Sequence, residues 1–80
     1  MTRLARPFAV FGFASTHDAL AAEEVLLDAG IDAVPIPAAK ELGALCGIAI
    51  RVPIGQEDAS RTCLMSSGIS PSGIIRMDDV

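Results

Sequence analysis

The sequence predicts an α+β domain of two layers, a four-stranded antiparallel sheet with two helices on one face, in the chain order βαββαβ. Three observations carry that expectation. Short apolar runs rich in strand formers recur along the chain with glycine or proline at their borders. Between them lie two longer stretches with helical spacing, each closed by a glycine. The ends of those stretches echo each other: Leu26-Leu27-x-x-Gly30-Ile31 reappears as Leu64-Met65-x-x-Gly68-Ile69 at the same place in each βαβ half.

The first strand is Pro7 to Phe13, an apolar run of Phe, Val and Ala. Ser15, Thr16 and Asp18 then signal a helix start, with Ser15 as N-cap and Asp18 as an imperfect capping-box partner. That helix extends to about Ala29, with Gly30 as its left-handed terminator. Ala19, Ala22, Leu26 and Ala29 share one face, Glu24 and Asp28 the opposite one, and Glu23 falls at the rim of the apolar arc. Ala33 to Ile36 is the second strand, and Pro35 assigns it to a sheet edge. Residues 37–45 form an irregular connection. Ile48 to Val52 is the third strand, stopped by Pro53. Gln56 to Ser67 is the second helix, with Glu57 and Asp58 in its first turn, where acids complement the helix dipole. Gly68 ends it, and Gly73 to Met77 is the last strand. One core of Val10, Leu26, Ile48, Ile50 and Ile74 is expected between helices and sheet. The order βαββαβ is that of a ferredoxin-like sandwich.

Eighty residues make a single domain, 1–80, with no room for a second core. A hydrophobic fraction of 51% excludes disorder. The net charge of −4 and the absence of Trp and Tyr argue against a nucleic-acid binder, since no basic stripe neutralises phosphates and few aromatic faces can stack on bases. No apolar run approaches the ~20 residues of a membrane span, so a cytoplasmic protein with no membrane contact is expected. One histidine and two dispersed cysteines supply no ligand set for a metal, and the scattered glycines do not cradle phosphate. No cofactor is expected.

Cys46 is the most informative residue. It lies in the small-residue stretch Leu42-Gly43-Ala44-Leu45-Cys46-Gly47-Ile48, at the edge of an apolar pattern rather than inside it. Gly47 places no side chain in the path of an approaching partner. In the expected sandwich the first and third strands are antiparallel neighbours, so the start of the third, at Gly47, lies beside the end of the first, at Gly12 and Phe13. The first helix begins just beyond, and the backbone amides of Ser15, Thr16, His17 and Asp18 have no intrahelical acceptors. A thiol facing them is stabilised as thiolate and its pKa falls below that of a free cysteine. His17 and Lys40 add positive charge nearby, while Asp18 opposes it. Each assignment has a plainer counterpart: Cys46 as a small packed residue, His17 as a solvated helix-start residue, Glu23 as a side chain reaching for water. Cys63, mid-helix and outside any motif, reads as structural.

Three stretches together resemble the family of selenium/sulfur carrier-like domains. They are Ser15-Thr16-His17-Asp18-Ala19 with Glu23, then Gly30-Ile31-Asp32 leading to Ile36-Pro37, then Lys40-Glu41-Leu42 followed by Cys46-Gly47-Ile48-Ala49. The resemblance runs from the first strand to Gly73-Ile74-Ile75. It implies a cysteine that carries sulfur or selenium, and Cys46 occupies that position. Glu23, Pro37 and Gly47 fall at recurrent positions of the family pattern. A second proline and a set of serines before the cysteine are usual in that pattern. This chain has Ala39 and Gly43-Ala44-Leu45 there, so those hydroxyls are not available to a thiolate.

Two functions follow. The first is a sulfur or selenium carrier in which Cys46 forms a persulfide or selenosulfide, served by donor and acceptor proteins. That is a carrier rather than a true enzyme, although a sulfurtransferase assay can register it. The second is a non-catalytic ferredoxin-like module that binds a partner protein or small metabolite, because this architecture hosts many functions. A redox switch through Cys46–Cys63 pairing is a third option, and an edge strand offers a route to a homo-oligomer.

Overall fold

A computed structural model of the protein describes residues 6–37 and 47–79. Strand β1 is Arg6–Gly12, helix α1 Thr16–Asp28, strand β2 Val34–Pro37, strand β3 Ile48–Pro53, helix α2 Glu57–Ser66 and strand β4 Gly73–Asp79. A 3₁₀ turn, Ile54–Gln56, joins β3 to α2, so α2 begins at Glu57 and not at the expected Gln56. The four strands form one sheet in the order β2-β3-β1-β4, and every neighbouring pair is antiparallel. β1 and β3 are adjacent, as expected, with Phe11 opposite Ile50 and Gly12 opposite Ala49. Among the described residues no helix is long and apolar enough to cross a membrane.

Alternation along β1 decides where the core sits. Ala9, Phe11 and Phe13 are fully buried and point to the helices, where Ile50, Val52, Ala19, Ala22, Leu26 and Leu64 join them. Ile48 and Ile74 pack against this cluster from its margin. Val10 belongs elsewhere. It sits with Ala49, Ile36 and Ile75 on the other face of the sheet, so the expected single core is corrected to two clusters. Successive strand residues point to opposite faces, and once the larger Phe11 and Phe13 take the helix side, Val10 must take the other. On that second face the guanidinium of Arg51 lies 4.2 Å from the centre of the Phe8 ring, a cation–π contact.

Both helices end by one device. At the end of α1 the Gly30 N–H donates to the Leu27 carbonyl and the Ile31 N–H to the Leu26 carbonyl. At the end of α2 the Gly68 N–H donates to Met65 and the Ile69 N–H to Leu64. Gly30 and Gly68 have φ of +81° and +74°, the left-handed conformation this motif requires. The residue after each glycine folds back toward the helix residue whose carbonyl it binds, Ile31 with Leu26 and Ile69 with Leu64; Leu26, Ile31 and Leu64 belong to the helix-side core and Ile69 packs against it. The sequence echo is therefore a repeated C-terminal cap with its hydrophobic contact. A Cβ at either glycine meets nothing within 4 Å, so conformation alone opposes substitution. Gly30→Ala and Gly68→Ala should each cost about 1 kcal/mol, additively because the caps are separate. Urea denaturation of the single and double variants checks this, and a loss under a few tenths of a kcal/mol at either position would contradict it.

One polar cluster lies under α2. Glu57, in the first turn, is 4% exposed. Its carboxylate accepts two hydrogen bonds from Arg76 of β4, Nε to Oε1 and Nη2 to Oε2, both 2.9 Å. Arg61, one turn along, adds a looser contact at 3.8 Å. The fork ties α2 to the sheet edge. The buried Ser60 hydroxyl donates to the Gln56 carbonyl at 2.7 Å, and the Gln56 side-chain oxygen accepts from the Asp32 N–H at 3.1 Å, holding the start of α2 to the α1–β2 connection.

Candidate functional site

The candidate site lies where β1 turns into α1. Ser15 is extended, with φ −143° and ψ 156°, and its Oγ accepts the Asp18 N–H at 3.1 Å. The Ser15 carbonyl accepts the first intrahelical bond, from Ala19 N–H at 3.1 Å. This is the expected N-cap. It settles one first-turn amide on the Ser15 side chain, while the preceding amides of the turn point outward along the helix axis. Thr16 and His17 are exposed and Asp18 is half-buried, so solvent reaches the positive end of the helix dipole from the side of Thr16 and His17.

The neighbouring strand brings the chain to that end. β1 and β3 pair from Phe8–Pro53 to Gly12–Ala49, so the start of β3, just after Gly47, lies at the end of the sheet where β1 leads into the N-cap. Gly47 is exposed, with open space where a Cβ would project. On the other flank of β1, Gly73 of β4 pairs with Gly12, and the Ser72 N–H donates to the Gly12 carbonyl at 2.7 Å. Gly73, Gly12 and Ala49 thus form a row of small residues across three strands at this end of the sheet. The glycines are visible in sequence, but only the register aligns them.

Of the expected site residues, Ser15, Thr16 and His17 form the helix start, and Gly47 stands just before β3, whose Ala49 pairs with Gly12. Glu23 does not. It is seven residues into α1 from Thr16, about 10 Å along the axis, and half-buried on the helix flank. Lys40 and Cys46 lie outside the described residues. Cys63 is well away from the helix start. It is half-buried, and its Sγ–H donates to the Val25 carbonyl of α1 at 3.6 Å, a weak bond across the helix pair that suits a packed residue.

Comparison with known families adds the remaining observation. Residues 8–76 match the family model described as Putative Se/S carrier protein-like. The chain belongs to that family. The curated proteins gave no match, nor did the solved structures. In this Se/S carrier-like chain the matched stretch begins inside β1 and ends inside β4, so it takes in β2, β3, both helices and most of the two remaining strands. It also ends on Arg76, whose fork holds Glu57. Sequence reasoning missed that pair because its members are 19 positions apart, and opposite charges at such a distance carry no periodic signal.

Proposed function

We propose that the protein carries sulfur or selenium on Cys46. The observation that carries this reading is the family match across residues 8–76, and the exposed, unobstructed Gly47 just before β3 supports it physically. We also read the fold as a ferredoxin-like sandwich, supported by the element order and by the sheet order β2-β3-β1-β4. In that frame Cys46 precedes a strand start that neighbours the first-turn amides, and those donors favour thiolate over thiol. His17 and Lys40 are the candidate sources of further positive charge, Thr16 and Ser15 of hydrogen bonds. Glu23 is a candidate for contact with a partner rather than with the sulfur.

The transfer is an exchange at sulfur. The Cys46 thiolate attacks the outer sulfur of a donor persulfide, R–S–SH. The S–S bond of the donor breaks, R–S⁻ leaves with the electron pair, and Cys46–S–SH forms with no net oxidation. An acceptor thiolate then repeats the exchange and returns Cys46 as thiolate. A donor R–S–SeH delivers selenium by the same step.

The test has two parts. Alkylation rate against pH should show one fast thiol that is lost in Cys46→Ser and kept in Cys63→Ser. Ser15→Ala should slow it, because loss of the cap, about 1 kcal/mol, loosens the donor amides. Incubation with a persulfide donor should then add one sulfur atom on Cys46, seen by intact mass and transferable to an acceptor thiol. Two thiols of equal, ordinary reactivity, or a reactive Cys46 that never loads, would overturn the reading in favour of the non-catalytic binding module.

A further inference from the structure

The charge of the chain is not spread evenly. Helix α1 holds four acids, Asp18, Glu23, Glu24 and Asp28, and no lysine or arginine. The remaining six acids of the chain are matched by its six lysines and arginines, so with His17 neutral the whole net charge of −4 resides on α1. Among the described residues none of these four acids has a cationic partner, since the ion pairs there are those of Glu57.

The outer side of the same helix is also apolar. Leu20 and Leu27 are 50% and 51% exposed, two of the three large hydrophobic residues that reach solvent among those described. Seven residues apart, they lie on one line about 10 Å long, because two helical turns take about seven residues. Glu24 is exposed between them on that line, with Glu23 on one flank and Asp28 on the other. Exposed leucines scattered singly need no explanation. These two are aligned, framed by acids, and turned away from the buried face of Ala19, Ala22 and Leu26. Thr16 and His17, both exposed, head the same stripe.

We infer that the outer face of α1 docks a partner protein through a basic surface with an apolar centre. Lysines or arginines of the partner meet Glu23, Glu24 and Asp28 while its apolar side chains cover Leu20 and Leu27. Charge complementarity selects this occupant. Unpaired acids repel nucleic acid and anionic lipid surfaces. A second copy seated two-fold on the stripe brings the same acids against themselves, and a small cation leaves the leucines in water. Because the stripe begins at Thr16 and His17, a partner seated on it also stands over the helix start. The partner's identity as sulfur donor or acceptor rests on the carrier reading, whereas its seat on α1 does not.

Titration with a synthetic helical peptide bearing a leucine stripe flanked by lysines, followed through amide NMR shifts, tests the docking face without any sulfur chemistry. The shifts should centre on Leu20, Glu24, Leu27 and Asp28. Leu20→Gln and Leu27→Gln keep a good helix former and should each weaken binding about tenfold. Glu24→Gln should weaken it about threefold and reduce its dependence on salt. Met65→Gln, at the exposed methionine of α2, should bind as the wild type does. No binding, shifts centred on α2, unchanged affinity in the leucine variants, or equal binding of a peptide with serines in place of its leucines would each overturn the proposal.

Discussion

Phe11→Ala should leave little folded protein in mild denaturant. Phe11 is fully buried at the centre of β1, opposite Ile50 of β3 and Ile74 of β4, with the α1 and α2 side chains above it. Truncating a buried phenylalanine removes its transfer free energy and leaves a cavity, together about 3–5 kcal/mol. A domain of this size has only about 4–12 kcal/mol to lose. The sheet cannot easily collapse onto the gap, because β1 is hydrogen-bonded on both flanks. With a urea slope near 1 kcal/mol per molar for so small a chain, the midpoint should fall by about 3 M or more. A fall below about 1 M would mean that Phe11 is not the centre of the core.

Arg76→Ala should be the most damaging change at a solvent-exposed side chain. Arg76 is itself 66% exposed, but its partner carboxylate is only 6% exposed. Removing the arginine leaves Glu57 inside the protein with the 3.8 Å contact to Arg61 and the dipole of its own helix. Breaking a buried pair from one side costs about 3–5 kcal/mol, and the exposure of Arg76 brings the expectation here to about 2–3. Glu57→Leu with Arg76→Leu should recover much of the loss, because no charge is then left buried. The double-mutant cycle by urea denaturation measures this. Equal losses in the single and double variants would show that the pair contributes by its shape and not by its charge.

Much of the fold is legible because its signals are local. Ser15 announces the start of α1 through a hydrogen bond three residues away, and Gly30 and Gly68 announce helix ends through backbone conformations that other residues adopt only under strain. Pro35 marks an edge because a proline cannot donate. What the chain hid is what depends on pairing. Val10 looks as apolar as Phe11, and only the strand's commitment of Phe11 and Phe13 to the helices sends it to the other face. Glu57 reads as an ordinary first-turn acid until β4 brings Arg76 beneath it. The candidate site divides in the same way. Its helix-start half follows from the N-cap motif, whereas the pairing of Ala49 with Gly12, which sets where β3 begins, required the β1–β3 register. Glu23 was grouped with the helix start by pattern, but the 1.5 Å rise per residue carries it two turns away.

The position of β1 has a consequence for how the molecule is made. β1 is the second strand from one edge of the sheet but the first of these strands along the chain, and its partners β3 and β4 come later; its pairing with β4 joins Arg6 to Asp79. After β1, α1 and β2 have emerged, the two strands are parallel and have no ladder between them, since β3 belongs in the slot. β2 pairs with the next strand, β3, but both ladders of β1 are long-range, and the loop-closure entropy must be met before any of β1's hydrogen bonds reward it. Folding of the sheet therefore waits on β1's two long-range ladders, and the aromatic run Phe8 to Phe13 is covered only when the distant strands β3 and β4 arrive, which places the domain among the slower folders for its size.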